Sequence, residues 1–321
     1  MIIWIDDYIF SGFCRDVDCI VLLRNAASRK HTLIISEYVG QEYNSRKSPY
    51  FEKWFDFLPQ RLKNEIKILL EICNMVSANS AAHGASISIL ISDRVNISKR
   101  KVCQLSLTEA IRAISLPLYI MVENQINDGA FLRHVLPPLW RSRIIKWEQS
   151  GELRFLQGGG NSEITRLIEF HSDNEKSKLT FGLPSEVWRL THFVIYDHDG
   201  DSENVPGIGA AILDTLCREK KIFHHRLNRR TQEHYLPFEV LKEITNIRIT
   251  DLNTKKTMLD ELENHSKLGE IRHFKKLPKI GDSPFFKNEF TSMISWNDEL
   301  AEKDAMWPEM INLAEKIAAA V

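Results

Sequence analysis

Three aspartates, Asp197, Asp199 and Asp201, fall within five residues, directly after the apolar run HFVIY of residues 192–196. An apolar run of that kind belongs in a buried strand. Carboxylates held so close repel one another unless a cation neutralises them. A set of hard oxygen donors suits Mg²⁺, Mn²⁺ or Ca²⁺. A further carboxylate, Glu123, ends the apolar run LPLYIMV. Sites in open parallel sheets form beyond the carboxyl ends of the strands, and neighbouring strands lie about 5 Å apart. Glu123, Asp197 and Asp199 are therefore expected at one sheet edge, as ligands of a common cation. Alternation along a strand sends Asp197 and Asp199 to one side and His198 to the other. A solvated acidic turn and a receiver-type phospho-acceptor aspartate are the competing readings. An EF-hand loop needs glycine at its sixth position and glutamate at its twelfth. Counted from Asp197 these are Ser202 and Ile208, which excludes it.

Two further stretches carry chemistry. LQGGGNSEI places Gly158 and Gly159 between an expected strand and an expected helix. Glycines there permit close backbone approach, and their N–H groups, with the helix N-terminus, can receive a phosphate. The plain alternative is a flexible turn. RLNRRTQEHYLP offers Arg229 and Arg230 for bidentate bonds to phosphate and Glu233 to complete a metal shell. Its plain alternative is a solvated basic turn.

The elements that must position these groups follow from the hydrophobic pattern. LPLYIMVE, LRFLQ, HFVIYD and IFHHRL read as strands. NDGAFLRHVL, SEITRLIEF, PGIGAAILDTLCREKK and PFEVLKEI read as the helices that follow them, with Asn127 as N-cap of the first and proline opening the last two. Unbroken apolar strands alternating with helices predict an α/β, Rossmannoid domain over 106–250, a parallel sheet flanked by helices. Upstream, MIIWI, HTLIIS and ISILIS read as strands and PQRLKNEIKILLEICNMV as an amphipathic helix, giving an N-terminal α/β domain over 1–105. The polar, basic VNISKRKVCQ marks its boundary. Residues 251–321 read as a polar, charged extension ending in the helix MINLAEKIAAA.

A chain of 321 residues can bury ample cores without staples, and 43% hydrophobic with 26% charged residues is globular composition. A net charge of −1 gives no global electrostatic case for nucleic acid, so a basic surface for it must be local. Cys14, Cys19, Cys73, Cys103 and Cys217 are odd in number and form no CxxC, which predicts reduced thiols rather than a disulfide framework or a zinc site. MIIWIDDYIF lacks the basic flank of a signal peptide, and no run reaches the roughly 20 apolar residues of a membrane span. The expectation is a cytoplasmic protein with no membrane partner.

Together these residues make the segment from about 107 to 245 resemble a TOPRIM domain, the fold of topoisomerases, primases and the overcoming-lysogenization-defect nucleases. Glu123 matches the glutamate ending the first strand, Gly158 and Gly159 the glycine turn after the second, and Asp197 with Asp199 the DxD ending the third. Asp128, and Glu233 in RRTQEHYLP, match the further acids of the nuclease branch. Asn124 stands where such families often carry glycine. The resemblance implies a nuclease acting on DNA or RNA with Mg²⁺ or Mn²⁺ as cofactor. Glu123, Asp197, Asp199 and Glu233 would be catalytic, and Glu123, Asp128, Asp197, Asp199 and Asp201 the metal ligands. It also implies a role in anti-phage defence and a later catalytic lysine, for which Lys275, Lys276, Lys279 and Lys287 are candidates. Many relatives are fused to an ATPase. No GxxxxGK[ST] loop occurs here, so an ATPase would be a separate subunit. A primase-type nucleotidyl transferase and a catalytically silent subunit of an ATPase complex are the alternatives. In the N-terminal domain, Asp6, Asp7, Glu42 and Asp93 faintly resemble a PIN-type nuclease layout. The preferred reading there is a structural domain with acidic strand ends.

Overall fold

The structure, a computed structural model, describes residues 1–12, 16–29, 31–39, 42–43, 48–81, 88–94, 102–279, 286 and 306–321. The chain divides into two compact units, residues 1–116 with 178–187, and residues 117–177 with 188–321.

The first unit carries strands β1 (Ile2–Asp6), β2 (Thr32–Ser36), β3 (Tyr38–Val39), β4 (Glu42–Tyr43), β5 (Ile89–Ile91) and β6 (Cys103–Leu105). Its helices are α1 (Asp16–Ser28), α2 (Pro49–Phe57), α3 (Gln60–Ala81) and α4 (Leu107–Ser115). Four strands form a wholly parallel sheet in the order β2-β1-β5-β6, and β3 pairs antiparallel with β4. Ile3, Ile5, Ile89 and Ile91 are buried in it. The domain boundary expected at residue 105 falls at 116 instead. CQL is too short to announce itself, yet its ends are buried and it pairs with β5. Helix α4 then follows at once, opened by a capping box between Ser106 and Glu109.

The second unit is built on β7 (Leu118–Val122), β8 (Leu153–Gln157), β9 (His192–Tyr196) and β10 (Phe223–Arg226), all parallel, in the order β10-β9-β7-β8. Counted along the chain within each sheet, both sheets have the order 2-1-3-4. β9 is buried at every residue, as a strand covered on both faces must be. The helices from here on, in chain order, are α5 (Gln125–Val135), α6 (Pro138–Gln149), α7 (Asn161–Ser172), α8 (Asn174–Thr180), α9 (Ser185–Thr191), α10 (Ile208–Lys220), α11 (Phe238–Arg248), α12 (Leu252–Ser266) and α13 (Trp307–Ala320), of which α8 ends and α9 begins in residues 178–187, assigned to the first unit. The polar C-terminal extension is part of this core. Met258 and Leu262 of α12, and Met310, Leu313 and Ile317 of α13, pack in one cluster with Phe131, Phe155 and Ile195. Among the described residues no helix is long and apolar enough to cross a membrane.

A carboxylate-lined candidate site

β7 leads through Glu123 and Asn124 straight into α5. Asn124 is the N-cap. Its Oδ1 accepts the N–H groups of Ile126 and Asn127, each at 3.0 Å. The cap expected at Asn127 thus sits three residues earlier, so the helix starts directly at the strand end. Two consequences follow. Glu123 stays at the sheet edge, and Asp128 falls in the first helical turn, where its Oδ2 accepts the Asn124 N–H at 2.9 Å. Asp128 is only 6% exposed.

β8 ends at Gln157, whose side chain clamps the same corner. Nε2 donates to the Glu123 carbonyl at 2.7 Å, and Oε1 accepts the Gln125 N–H at 2.8 Å. Gly158 donates its N–H to the Val122 carbonyl at 2.7 Å and Gly159 to the Glu123 carbonyl at 3.0 Å. These two N–H groups, expected to receive phosphate, are instead committed to the strand end. The need for glycine is steric: a Cβ on Gly158 would stand 2.4 Å from Ile164 Cγ1 and 2.8 Å from the Val122 carbonyl oxygen.

β9 ends at Tyr196, one residue short of the first aspartate, so strand alternation does not govern the acidic turn. His198 is buried, its Nδ1 accepting the Gly200 N–H at 3.2 Å and its Nε2–H donating to the Glu203 carbonyl at 3.1 Å. Asp199 adopts φ 56°, the left-handed region that aspartate tolerates better than most residues. Its side chain is turned outward, Oδ2 accepting Asn161 Nδ2 at 3.1 Å. The common direction expected for Asp197 and Asp199 is therefore not found. Asp201 is exposed and ion-paired with Arg230, which deepens its acidity.

Four carboxylates do share a space. Glu123, Asp128, Asp197 and Glu233 line one cavity of about 270 Å³, together with Asn127, Gln157, Gly159 and Gln232. Glu233 comes from a single 3-10 turn, Gln232–Tyr235. The cavity opposes negative charge. Burial, then the charges of Glu233, Asp128, Asp199 and Glu123, push the Asp197 carboxyl well above its usual range. Its Oδ1 is closed to solvent and has no hydrogen-bond donor. Burial likewise raises Asp128 to about 6, against the opposing bonds from Asn124 and Gln232. Asp199 is raised by burial, with Arg230 and His198 working the other way.

The two arginines are turned inward. Arg229 is buried, donates from Nη1 to the His234 carbonyl at 2.8 Å and lies over the Tyr235 ring at 5.0 Å. Arg230 is held by the carbonyls of Gly200 and Phe274 as well as by Asp201. The charges of Lys275 and Lys276 bear on Asp201. Neither they nor Lys279 are among the described residues that line the cavity, and Lys287 lies outside the described residues. Pattern reading missed Gln157, Gln232 and Asn161. Their only signal is adjacency to residues it singled out.

The N-terminal acids are spent on structure. Arg94 grips Asp6 bidentately at 2.6 and 2.7 Å, and Ser92 adds a third bond at 2.6 Å. Asp7 caps α2, accepting the N–H groups of Tyr50 and Phe51, and Asp93 accepts the Leu107 N–H. The Glu42 side chain lies outside the described residues.

In chemistry, the cavity fits a hard divalent cation: its donors are carboxylate and amide oxygens, and one buried carboxylate oxygen lacks a partner. In spacing it is looser. Among the described residues no three Asp, Glu, His or Cys side chains are grouped closely enough to form a ready ligand shell. Compared with protein-family models, curated proteins and solved structures, the chain matches none.

Proposed function

We propose that the second unit is a divalent-cation-dependent phosphodiesterase that cleaves DNA or RNA, with the carboxylate cavity as its active site. The observation that carries this reading is Asp197 Oδ1, buried without a donor among the carboxylates of Glu123, Asp128 and Glu233. An unsatisfied buried acceptor is costly, and adjacent like charges add to the cost. A bound Mg²⁺ or Mn²⁺, held by Asp197 and Glu123 with Asp128 or Glu233, would remove both costs, polarise a phosphoryl oxygen and lower the pKa of a bound water. Without a cation, Asp197 and Asp128 hold their protons to higher pH than an ordinary carboxylate, so cation binding that displaces them tightens as pH rises. Gln157 and Gln232 put side-chain amides on the same wall. Asp199 becomes a positioning residue that ties the turn after β9 to the start of α7 through Asn161. The resemblance to TOPRIM nucleases supports the same assignment. The defence setting and a separate ATPase subunit rest on that resemblance alone.

A second reading is a catalytically silent subunit that binds a cation without cleaving; the looser spacing of the carboxylates, with no compact three-ligand group among the described residues, counts against a preassembled catalytic centre. Incubation of the protein with plasmid, single-stranded DNA and tRNA, in Mg²⁺, Mn²⁺ or EDTA, separates the two. The nuclease reading expects cleavage with a divalent cation, none in EDTA, and loss of at least about a hundredfold in Glu123→Ala, the scale of removing a transition-state electrostatic partner. Cation binding without cleavage of any of the three assigns the silent role. Undiminished cleavage by Glu123→Ala rejects this cavity as the active site.

A further inference from the structure

β10 is an edge strand of the second unit's sheet, and its successive side chains point to opposite faces. His224 faces α10, with Nε2 3.4 Å from Asp214 Oδ1. His225 faces α13, with Nε2 3.0 Å from Glu309 Oε1. Around this edge lies an open cavity of about 510 Å³, walled by α10, β10 and α13 and separate in its lining from the carboxylate cavity. We propose that it is a phosphate-anion site, with Arg226 and Lys316 as its principal ligands and Arg218 as a mobile third.

Charge accounting gives the sign of the ligand. The cavity holds two carboxylates, and both are already engaged. Asp214 accepts the Tyr196 hydroxyl at 3.1 Å and the Arg218 guanidinium at 2.7 Å. Glu309 is buried and accepts the Tyr235 hydroxyl at 2.7 Å, the Asn228 N–H at 2.8 Å and His225 Nε2–H at 3.0 Å. Lys316 Nζ lies 3.3 Å from His225 Nδ1. A lysine ammonium only donates, so Nδ1 accepts and the imidazole is neutral. Neither Arg226 nor Lys316 has a carboxylate partner among the described residues. The wall therefore carries three cations, Arg218, Arg226 and Lys316, against two carboxylates, a net charge of +1, and Arg226 from the sheet and Lys316 from α13 pair with neither carboxylate. Arg218, on a 70%-exposed side chain, can turn from Asp214 toward the same space.

Phosphate matches this arrangement. The guanidinium fork pairs with two of its oxygens, and an ammonium serves as a point charge for a third. The side-chain amide of Asn312 and the exposed Asn228 add neutral hydrogen-bonding groups to the rim. The cavity has room beyond a lone phosphate, so the phosphate belongs to a nucleotide or a polynucleotide. Arg229 and Arg230 of the same RLNRR stretch are turned inward, which leaves Arg226 as its phosphate ligand. The inference does not depend on the carboxylate cavity binding a cation, and its test excludes divalent ions.

The test is calorimetric titration of the full chain in EDTA with pyrophosphate. The parent is expected to bind saturably at one site. Lys316→Gln, an exposed change that leaves the core untouched, should weaken binding about tenfold, the scale of one charge-assisted hydrogen bond. Arg226→Gln should do the same, and the pair more. Titration with AMP and with an oligonucleotide bearing a 5′-phosphate or a 5′-hydroxyl identifies the source. Tighter binding of either oligonucleotide than of AMP assigns the phosphate to a polynucleotide, and the reverse assigns it to a free nucleotide. No saturable pyrophosphate binding, or equal binding by parent and Lys316→Gln, overturns the proposal.

Discussion

Asp128 and Asp197 are acids whose surroundings oppose their charge, and that opposition is measurable without a cation or a substrate. Asp128 is buried and sits at about 6 in the folded chain, against about 3.9 when unfolded. Between these values the folded state holds more protons than the unfolded state. The stability this group contributes is present below about pH 4 and is lost as pH rises through about 6. In EDTA, Asp128→Asn should therefore match the parent near pH 4 and exceed it at pH 7.5, by at most roughly 3 kcal/mol, in urea unfolding. Asparagine retains an oxygen for the Asn124 N–H. A variant that is less stable at pH 7.5 would show that the carboxylate is stabilised by its site. At this scale the sequence indicated which acids lie at the sheet edge, because Glu123 and Asp197 directly follow apolar strands. It was silent on Asp199, whose direction depends on a single left-handed φ. It was equally silent on Arg229, whose guanidinium is turned inward by a ring and a carbonyl several residues away.

The elements act as spacers. A short turn after β7, fixed by the Asn124 cap, and a glycine turn after β8 let two strand ends deliver Glu123 and Gln157 to one corner. Gly158 has no room for a side chain there. Gly158→Ala should destabilise the protein by about 1–3 kcal/mol, as other overpacking changes do, because its Cβ lies within 3 Å of Ile164 and of a backbone carbonyl. Unfolding at an unchanged urea midpoint would mean that the turn relaxes freely. Strand LRFLQ was legible residue for residue, since buried Leu153 and Phe155 alternate with exposed Arg154 between turn residues, the pattern of a strand covered on one face. Helix α12 was not. It buries only Met258 and Leu262 and is otherwise largely polar or charged, so its pattern is that of a solvated segment.

At the scale of the molecule, the sequence conveyed the α/β class and the alternation of the second sheet. It did not convey that both sheets share one strand order, nor that the C-terminal helix completes a core begun almost two hundred residues earlier. Such long-range closure has no local signature. Leu313, fully buried in that helix, tests it. Leu313→Ala should cost about 2–5 kcal/mol, seen as a lower Tm of the main transition, whereas a peripheral tail would tolerate it. The same closure brings Glu309 against Asn228, His225 and Tyr235, and so links the basic cavity to the stability of the second unit. Whether the acids at the sheet edge form a cation site is read by titrating Mn²⁺ into the metal-free protein and its Asp197→Asn and Asp201→Asn variants. A cation site there predicts saturable binding by the parent, weakened at least about tenfold, or about 1.4 kcal/mol, in Asp197→Asn and nearly unchanged in Asp201→Asn, since Asp201 is paired with Arg230 outside the cavity. Equal Mn²⁺ affinity in parent and Asp197→Asn would contradict it.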